Sequence, residues 1–554
     1  MSNFGVKRSK KSISLVFLFL CMLLVLSACG NGTSNPPTPT VSNKKSEPKL
    51  AAKQVLTFPN VGIADSAPLD PALVSDANTS VILNMVYSGL VKDDINLNVV
   101  PDQATWDISP DNTIYTFHLK PNIFFSDGTP VTAQTYVYTL TRSLLPEVQS
   151  SAASFFEGII IGANNIIRGK TKTLSGVKAI DALTLQITLQ HSAPYFLQML
   201  TNPLFFPLNQ QLIAQYGQSD WPNHVVGNGV GTGPFMITEW DHSVKMVLAP
   251  NPYYYGTKTR LTSVNMVFEY DPSIAFKSYS AGQYDFTWNI TPTDQLSAKG
   301  LPGFTRSTQL QTDALFFNPK MPPFDNAIVR LAFAYATDKV TLAHTIFNDA
   351  VVPAGTIIPP EMPGYVQKYS GLPYDKNQAK TLLQSVYPDV TAVPPITFSY
   401  ANSQVSQREA VALQRMWQDA LGIPVTLRSV EPTAYSTETA NRQIQFGFTQ
   451  WEADFADPYD CLTLNLLSTA AGNVGNWSNP TFDQLVILAD KITGAERLSL
   501  YAQAEQIAIA DAGWLPLDHQ TMAAIIPSWV HGVSLNANGL YFGDWSEVYL
   551  LQHA

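Results

Sequence analysis

The chain has 554 residues, with 33 Lys and Arg against 43 Asp and Glu, a formal net charge of −10 and 3 cysteines. An acidic exterior argues against nucleic acid as a partner, and so few cysteines exclude a disulfide-built scaffold. The length is far beyond one core, and 45% hydrophobic residues exclude a disordered chain, so two or three packed domains are expected.

The N-terminus indicates the compartment. Lys7, Arg8, Lys10 and Lys11 form a positive start, residues 13–26 are almost wholly apolar, and Leu26-Ser27-Ala28-Cys29 follows. A basic start, a short apolar run and a small-residue site form the pattern of a secretory signal over residues 1–28. As a helix, residues 13–26 would rise only about 21 Å, short of a ~30 Å hydrocarbon core, which disfavours a spanning anchor. The Leu-Ser-Ala-Cys ending resembles the bacterial lipobox, which implies cleavage before Cys29 and lipid on its sulfur. Acyl chains contribute roughly 0.8 kcal/mol per buried methylene to membrane attachment. The mature chain would then keep 29 bases against 43 acids, and Cys461 would be its one other cysteine, so no internal disulfide can form. No Cys or His cluster has zinc-ligand spacing.

Residues 29–52 are rich in Pro, Ser and Thr without apolar periodicity and read as a solvated tether, with order beginning near Gln54 in a strand. Residues 80–87 read as a helix ending at Gly89. Tyr115, Phe117 and Leu119 alternate with Thr116 and His118, the mark of a strand with one buried face, and His118 falls on its polar side. Asp127-Gly128 marks a tight turn, and Thr132 can cap a helix reaching Leu145.

These residues carry a resemblance. Trp106, Ser109-Pro110-Asp111, Tyr115-Thr116-Phe117, Leu119, Phe125-Ser126-Asp127-Gly128 and Val131-Thr132-Ala133 form a long spaced pattern. It closely resembles the signature of family 5 extracytoplasmic solute-binding proteins, the oligopeptide- and dipeptide-binding components of ABC importers. Gly231-Thr232-Gly233-Pro234-Phe235 resembles the family's Gly-rich turn, and it fits neither phosphate-binding pattern. Ala281-Gly282-Gln283-Tyr284-Asp285 resembles a family helix end, in which Gly282 supplies the cap.

Near residue 310 a second domain starts. Thr337-Asp338 can cap a helix through Phe347, and residues 395–400, 406–421 and 425–427 read as a β-α-β unit ended by Gly422. Residues 504–512 read as a helix, and 515–517 with 529–533 look like family elements returning to the first lobe. The expected fold is α/β, a two-lobed periplasmic-binding-protein-like fold (type II, cluster C) with an extra subdomain in the first lobe. Lobe I takes 53–84, 206–309 and 515–554, the inserted subdomain 85–205, and lobe II 310–514.

After the strand-like residues 445–448 comes Gln450-Trp451-Glu452-Ala453-Asp454-Phe455-Ala456-Asp457-Pro458-Tyr459-Asp460, four carboxylates among three aromatics. No Lys or Arg lies between Arg442 and Lys491. Carboxylates beside aromatic faces suit a cationic group such as an amine. Trp451, Ala453, Asp454 and Phe455 match the family motif Trp-x-Ala-Asp-[Phe/Tyr], which implies that Asp454 pairs with the α-ammonium of a bound peptide. Glu452 would add negative potential, Trp451 and Phe455 would wall the site, and Asp457 and Asp460 would shape the turn. No basic residue near the segment offers a partner for a peptide's C-terminus.

The expected function is capture of oligopeptides by a lipid-anchored monomer, for delivery to a permease and its ATPase subunits. No catalytic residue, metal or cofactor is expected. Family members also take nickel chelates, opines or oligosaccharides, and a secreted hydrolase with paired carboxylates is the alternative from another class.

Overall fold

The computed structural model describes residues 49–74, 76–150 and 152–553. The signal segment, Cys29 and the tether as far as residue 48 lie outside the described residues. Strand-like pairing begins before Gln54: Leu50 bridges Leu551, and the Ala51 N–H donates to the Leu550 carbonyl at 2.8 Å. The partner lies some five hundred residues away in sequence, which no local pattern around Leu50 records. Among the described residues no helix is long and apolar enough to cross a membrane.

The first lobe opens with β1 (Val55–Val61), whose Leu56, Phe58 and Val61 are fully buried. The helix Ala77–Val86 follows, its N-terminus capped by Asp76 accepting from the Thr79 N–H, and it buries Ile82, Leu83, Met85 and Val86 in the same core as that strand. The end of this helix explains the glycine-rich run. The Gly233 N–H donates to the Val86 carbonyl at 2.8 Å, and a Cβ on Gly231 would stand 2.1 Å from the same oxygen. The glycines permit close backbone contact with the end of that helix, and the Gly233 N–H is spent on the Val86 carbonyl instead of being free to cradle a phosphate.

The chain then leaves to build the inserted subdomain. A hairpin of β2 (Val91–Asp93) and β3 (Val99–Pro101) leads into β4 (Ala104–Ile108), β5 (Ile114–Leu119), β6 (Val177–Ala179) and β7 (Thr184–Thr188). The last four form an antiparallel sheet ordered β4-β5-β7-β6. Tyr115, Phe117 and Leu119 face its core while His118 is exposed beside Asp107, as the alternation predicts. Thr132 and Thr135 form a reciprocal capping box at the helix Ala133–Ser143, which packs Tyr136 and Leu140 into the same core.

Back in the first lobe, β8 (Phe235–Asp241), β9 (Lys245–Pro250) and β10 (Ser263–Glu269) form a meander, and β10 runs parallel to β1. The helix Pro272–Ser280 ends at Ala281, followed by Gly282 at φ 76°.

A seven-stranded sheet organises the remainder. Its strands are β11 (Thr287–Trp288), β12 (Phe304–Phe317), β13 (Val352–Pro353), β14 (Thr397–Ala401), β15 (Thr426–Val430), β16 (Phe446–Glu452) and β17 (Trp514–Ile525), ordered β11-β17-β12-β16-β14-β15 with β13 beside β17. The helix Gln404–Leu421 joins β14 to its parallel neighbour β15, buries Leu413, Trp417 and Leu421, and stops at left-handed Gly422. Asp338 caps the helix Lys339–Phe347. The helix expected over 504–512 begins at Gly494, because its first turns are polar and dilute the apolar signal. Strand β17 belongs to both lobes. Trp514, Leu515 and Leu517 pack into second-lobe cores, while Ala523 to Ile525 pack with Trp288, Ile290 and Ala298 of the first-lobe side.

One ion pair ties the inserted subdomain to the first lobe. Arg142 donates Nη1 to Asp70 Oδ1 at 3.1 Å and Nη2 to Oδ2 at 2.7 Å, with side-chain exposures of 3% and 0%. Removing one partner of a buried pair strands the other charge. R142M is therefore expected to cost about 3–5 kcal/mol, read as a lowered denaturation midpoint in urea; a loss below about 1 kcal/mol would show that Asp70 finds another partner.

Candidate functional site

Strand β16 delivers the acidic stretch. It pairs antiparallel with β12, placing Glu452 opposite Gln311, and the Ala453 N–H donates to the Leu310 carbonyl at 2.8 Å. The chain then turns, and Asp460 controls how. This fully buried carboxyl accepts from Trp451 Nε1 at 2.5 Å and from the Asp454 N–H at 3.2 Å. Burial, reinforced by Asp454, holds the Asp460 carboxyl well above the usual carboxylate range. Residues Tyr459–Thr463 continue as one π-helical turn.

Asp457 has a partner that its own neighbourhood in sequence does not supply. Arg497, from the helix Gly494–Ala510, donates to its two oxygens at 2.8 and 2.6 Å, and Asp457 also accepts from the Tyr459 N–H. The Asp457–Arg497 pair is buried, so this carboxylate is already occupied. It shapes the turn, and it also anchors the segment to a helix 40 residues downstream.

The aromatics divide. Trp451 is partly buried with its indole N–H on Asp460. Phe455 is 1% exposed and sits in the inserted subdomain's core, its ring 6.1 Å from that of Phe155 and 6.5 Å from that of Tyr195. Tyr195 in turn stacks on Tyr459 at 3.8 Å. Phe455 therefore docks the segment onto the subdomain instead of walling a cavity, because that apolar core offers the ring more burial than an open wall does. Cys461 is buried against Met362, and burial pushes its thiol well up, which suits a packing role.

Asp454 is what remains open. Its backbone carbonyl accepts from Asn202 Nδ2 at 3.2 Å, but among the described residues its carboxylate takes no hydrogen bond and no ion pair. The side chain is exposed to solvent yet ringed by protein, and this partial desolvation, followed by the charge of Glu452, pushes it up to about 6. Glu452 is exposed, and desolvation raises it too.

Asp454 lines a cavity of about 210 Å³ whose other walls come from the first lobe and the inserted subdomain. Trp451, Glu452 and Phe455 are not among its lining residues. Sequence reasoning missed the facing wall: Asn84, Lys92, Asn202 and the hairpin pair Asn536 and Tyr541 come from four separate segments with no shared motif. Asp102 also lines it, 7% exposed, accepting from the Tyr255 hydroxyl at 2.5 Å and raised by burial. Among the described residues no cluster of His, Cys, Asp and Glu could hold a metal ion.

A cavity between elements of two lobes, carrying one unpaired carboxylate, defines a ligand-binding protein of the two-lobed periplasmic class. The chain belongs to the bacterial extracellular solute-binding proteins, family 5, whose middle-region model matches residues 98–473. It is 31% identical to the probable deoxycholate-binding periplasmic protein YgiS of Escherichia coli, over 91% of this chain and 95% of that one. It is 28% identical to the oligopeptide-binding protein OppA of Bacillus subtilis, over 98% of each. Its fold is similar to the unliganded open form of the periplasmic murein tripeptide binding protein MppA, of which the same organism as YgiS has a copy, with a TM-score of 0.76, 30% identity and coverage of 92% and 99%.

The arrangement around Asp460 is open to test. D460A leaves the Trp451 indole N–H unsatisfied and is expected to destabilise the fold by about 1–3 kcal/mol, with D460N, which keeps an acceptor, costing less. Equal losses in chemical denaturation would show that the indole bond is not what this carboxyl supplies.

Proposed function

We propose that this chain is the lipid-anchored solute-binding component of an ABC importer and that it captures oligopeptides in the cavity lined by Asp454. One observation carries the reading: a carboxylate without a protein partner faces the cavity, while its neighbours Asp457 and Asp460 are engaged. Such a group fits the α-ammonium of a peptide. A hydrogen-bonded charge pair of this kind contributes roughly 1.5–3 kcal/mol, and loss of water around it strengthens the attraction.

The relatives support a peptide without deciding it. OppA and MppA carry peptide in their names, and YgiS carries deoxycholate, an anion. An unpaired carboxylate repels an acidic steroid and attracts an amine, so the site favours the peptide side of that division. Other amine-bearing solutes share this chemistry.

In this reading lobe I (53–84, 206–309 and 515–554) and lobe II (310–514), which share strand β17, close around the ligand, with the subdomain 85–205 forming part of the wall. Closure follows because the ligand binds the closed form better. The protein acts as a monomer without turnover and hands its ligand to a permease driven by ATPase subunits. The lipid on Cys29, after removal of residues 1–28, holds it to the outer face of the cell membrane.

D454N is expected to weaken binding of short peptides at least tenfold with the fold unchanged, as measured by calorimetry; an unaltered affinity would sink the assignment. The pH dependence has a defined sign. A bound ammonium favours the charged carboxylate, so affinity is full above about 6 and declines as pH falls through that value, and D454N should flatten this profile. C29S should release the protein from membranes into the medium or periplasm, and persistent membrane retention would remove the lipid anchor from the reading.

A further inference from the structure

Asp454 accounts for one end of a peptide, and the opposite end needs a cation. We propose that Lys92 receives the ligand's terminal carboxylate, making the cavity selective for free, zwitterionic peptides over C-terminally blocked ones; this rests on the peptide reading above. Lys92 lies at the centre of β2 and lines the same cavity as Asp454.

Its position is fixed. Val91 is fully buried in the subdomain core, Lys92 pairs with Val100 across the hairpin, and Asp94 closes the turn by accepting from the Asn96 and Asn98 N–H groups. Yet its ammonium is unspent. Among the described residues Lys92 Nζ makes no hydrogen bond and no ion pair, although it is only partly exposed. The two acids beside it in the cavity wall are engaged elsewhere: Asp93 accepts from Gln198 at 2.7 Å, and Asp102 accepts from the Tyr255 hydroxyl. Lys92 acts on Asp102 only through longer-range Coulomb attraction. The lining also includes neutral polar groups, among them Asn84, Asn202 and Asn536, which can hydrogen-bond a peptide's main chain without competing for either charge.

A second cation provides the comparison. Arg306 lines an adjoining cavity of about 350 Å³ that shares Asn536 with the first. Its Nη1 already donates to the Asp349 carbonyl at 2.7 Å, and the side chain is exposed to solvent. Screening makes such an exposed cation a weaker anchor than one inside the cavity wall.

The test is calorimetry on the whole mature protein with alanine peptides of three to five residues, each as free acid and as C-terminal amide. The wild type should prefer the acid at least tenfold at one or more lengths. K92Q should lose that preference while binding the amides as the wild type does, which also shows that it is folded, and R306Q should keep it. An acid-to-amide ratio unchanged in K92Q, equal weakening of both forms, or loss of the preference in R306Q would overturn the role of Lys92. The two readings fail differently. Peptide binding that depends on Asp454 but is indifferent to K92Q rejects Lys92 alone, whereas absence of any peptide binding by the wild type rejects both.

Discussion

The ladder between β12 and β17 is the constraint on which the rest of this molecule depends. These strands pair antiparallel from Phe304↔Ile525 to Phe316↔Trp514, and their register slips twice, between Thr308 and Thr312 and between Asp313 and Ala314. A slip of this kind bends and twists a ladder and frees main-chain groups for other partners. Here the freed groups join the lobes. The Leu310 N–H donates to the Ala537 carbonyl in the hairpin that returns to the first lobe, and the Leu310 carbonyl accepts from the Ala453 N–H. Gln309 Nε2 adds a bond to the Asn536 carbonyl. One residue, Leu310, thus links the segment carrying Asp454 to the hairpin carrying Asn536 and Asn538, and the cavity lies between them.

Charge placement around that ladder explains why Asp454, and not Asp457 or Asp460, is available. Asp457 is spent on Arg497, and Asp460 is buried and holds Trp451. On the sheet behind, Asp313 accepts from Gln311 and Gln520 and is pushed up to about 6 by burial, while Glu409 is pushed up to about 8, first by burial and then by Asp313. Lys339, lowered to about 7 by burial, donates to the Ala354 carbonyl. These buried groups trade charge for packing, since desolvation penalises their ionised forms. Asp454 keeps its solvent exposure and can therefore keep its charge near neutral pH.

Much of the fold was legible because its signals are local. The Tyr115-Phe117-Leu119 alternation, the caps at Thr132 and Asp338, left-handed Gly422 and the Gly-rich turn at Gly231-Thr232-Gly233 each declare themselves within a few residues. Asp454, which lines the cavity, was singled out through a motif of adjacent residues. What was not legible depends on distance in sequence. Nothing beside Asp457 announces Arg497, nothing beside Leu50 announces Leu551, and Phe455 looks like a wall until the subdomain core closes around it. The wall containing Lys92 and Asn536 is assembled by the β2–β3 hairpin and the C-terminal hairpin, whose juxtaposition only the folded chain defines.

On the peptide reading, the unpaired state of Asp454 does more than select an amine. Closing the lobes without a ligand would withdraw water from a carboxylate that has Glu452 nearby and no cation of its own, and desolvating an uncompensated charge costs several kcal/mol. An ammonium arriving at Asp454 removes that penalty at the moment the lobes meet. The open form is then favoured when the site is empty and the closed form when it is filled, which is the differential affinity that ligand-driven closure requires. A permanently paired carboxylate such as Asp457 would be indifferent to the ligand, so the same missing partner that gives the cavity its selectivity also couples binding to closure.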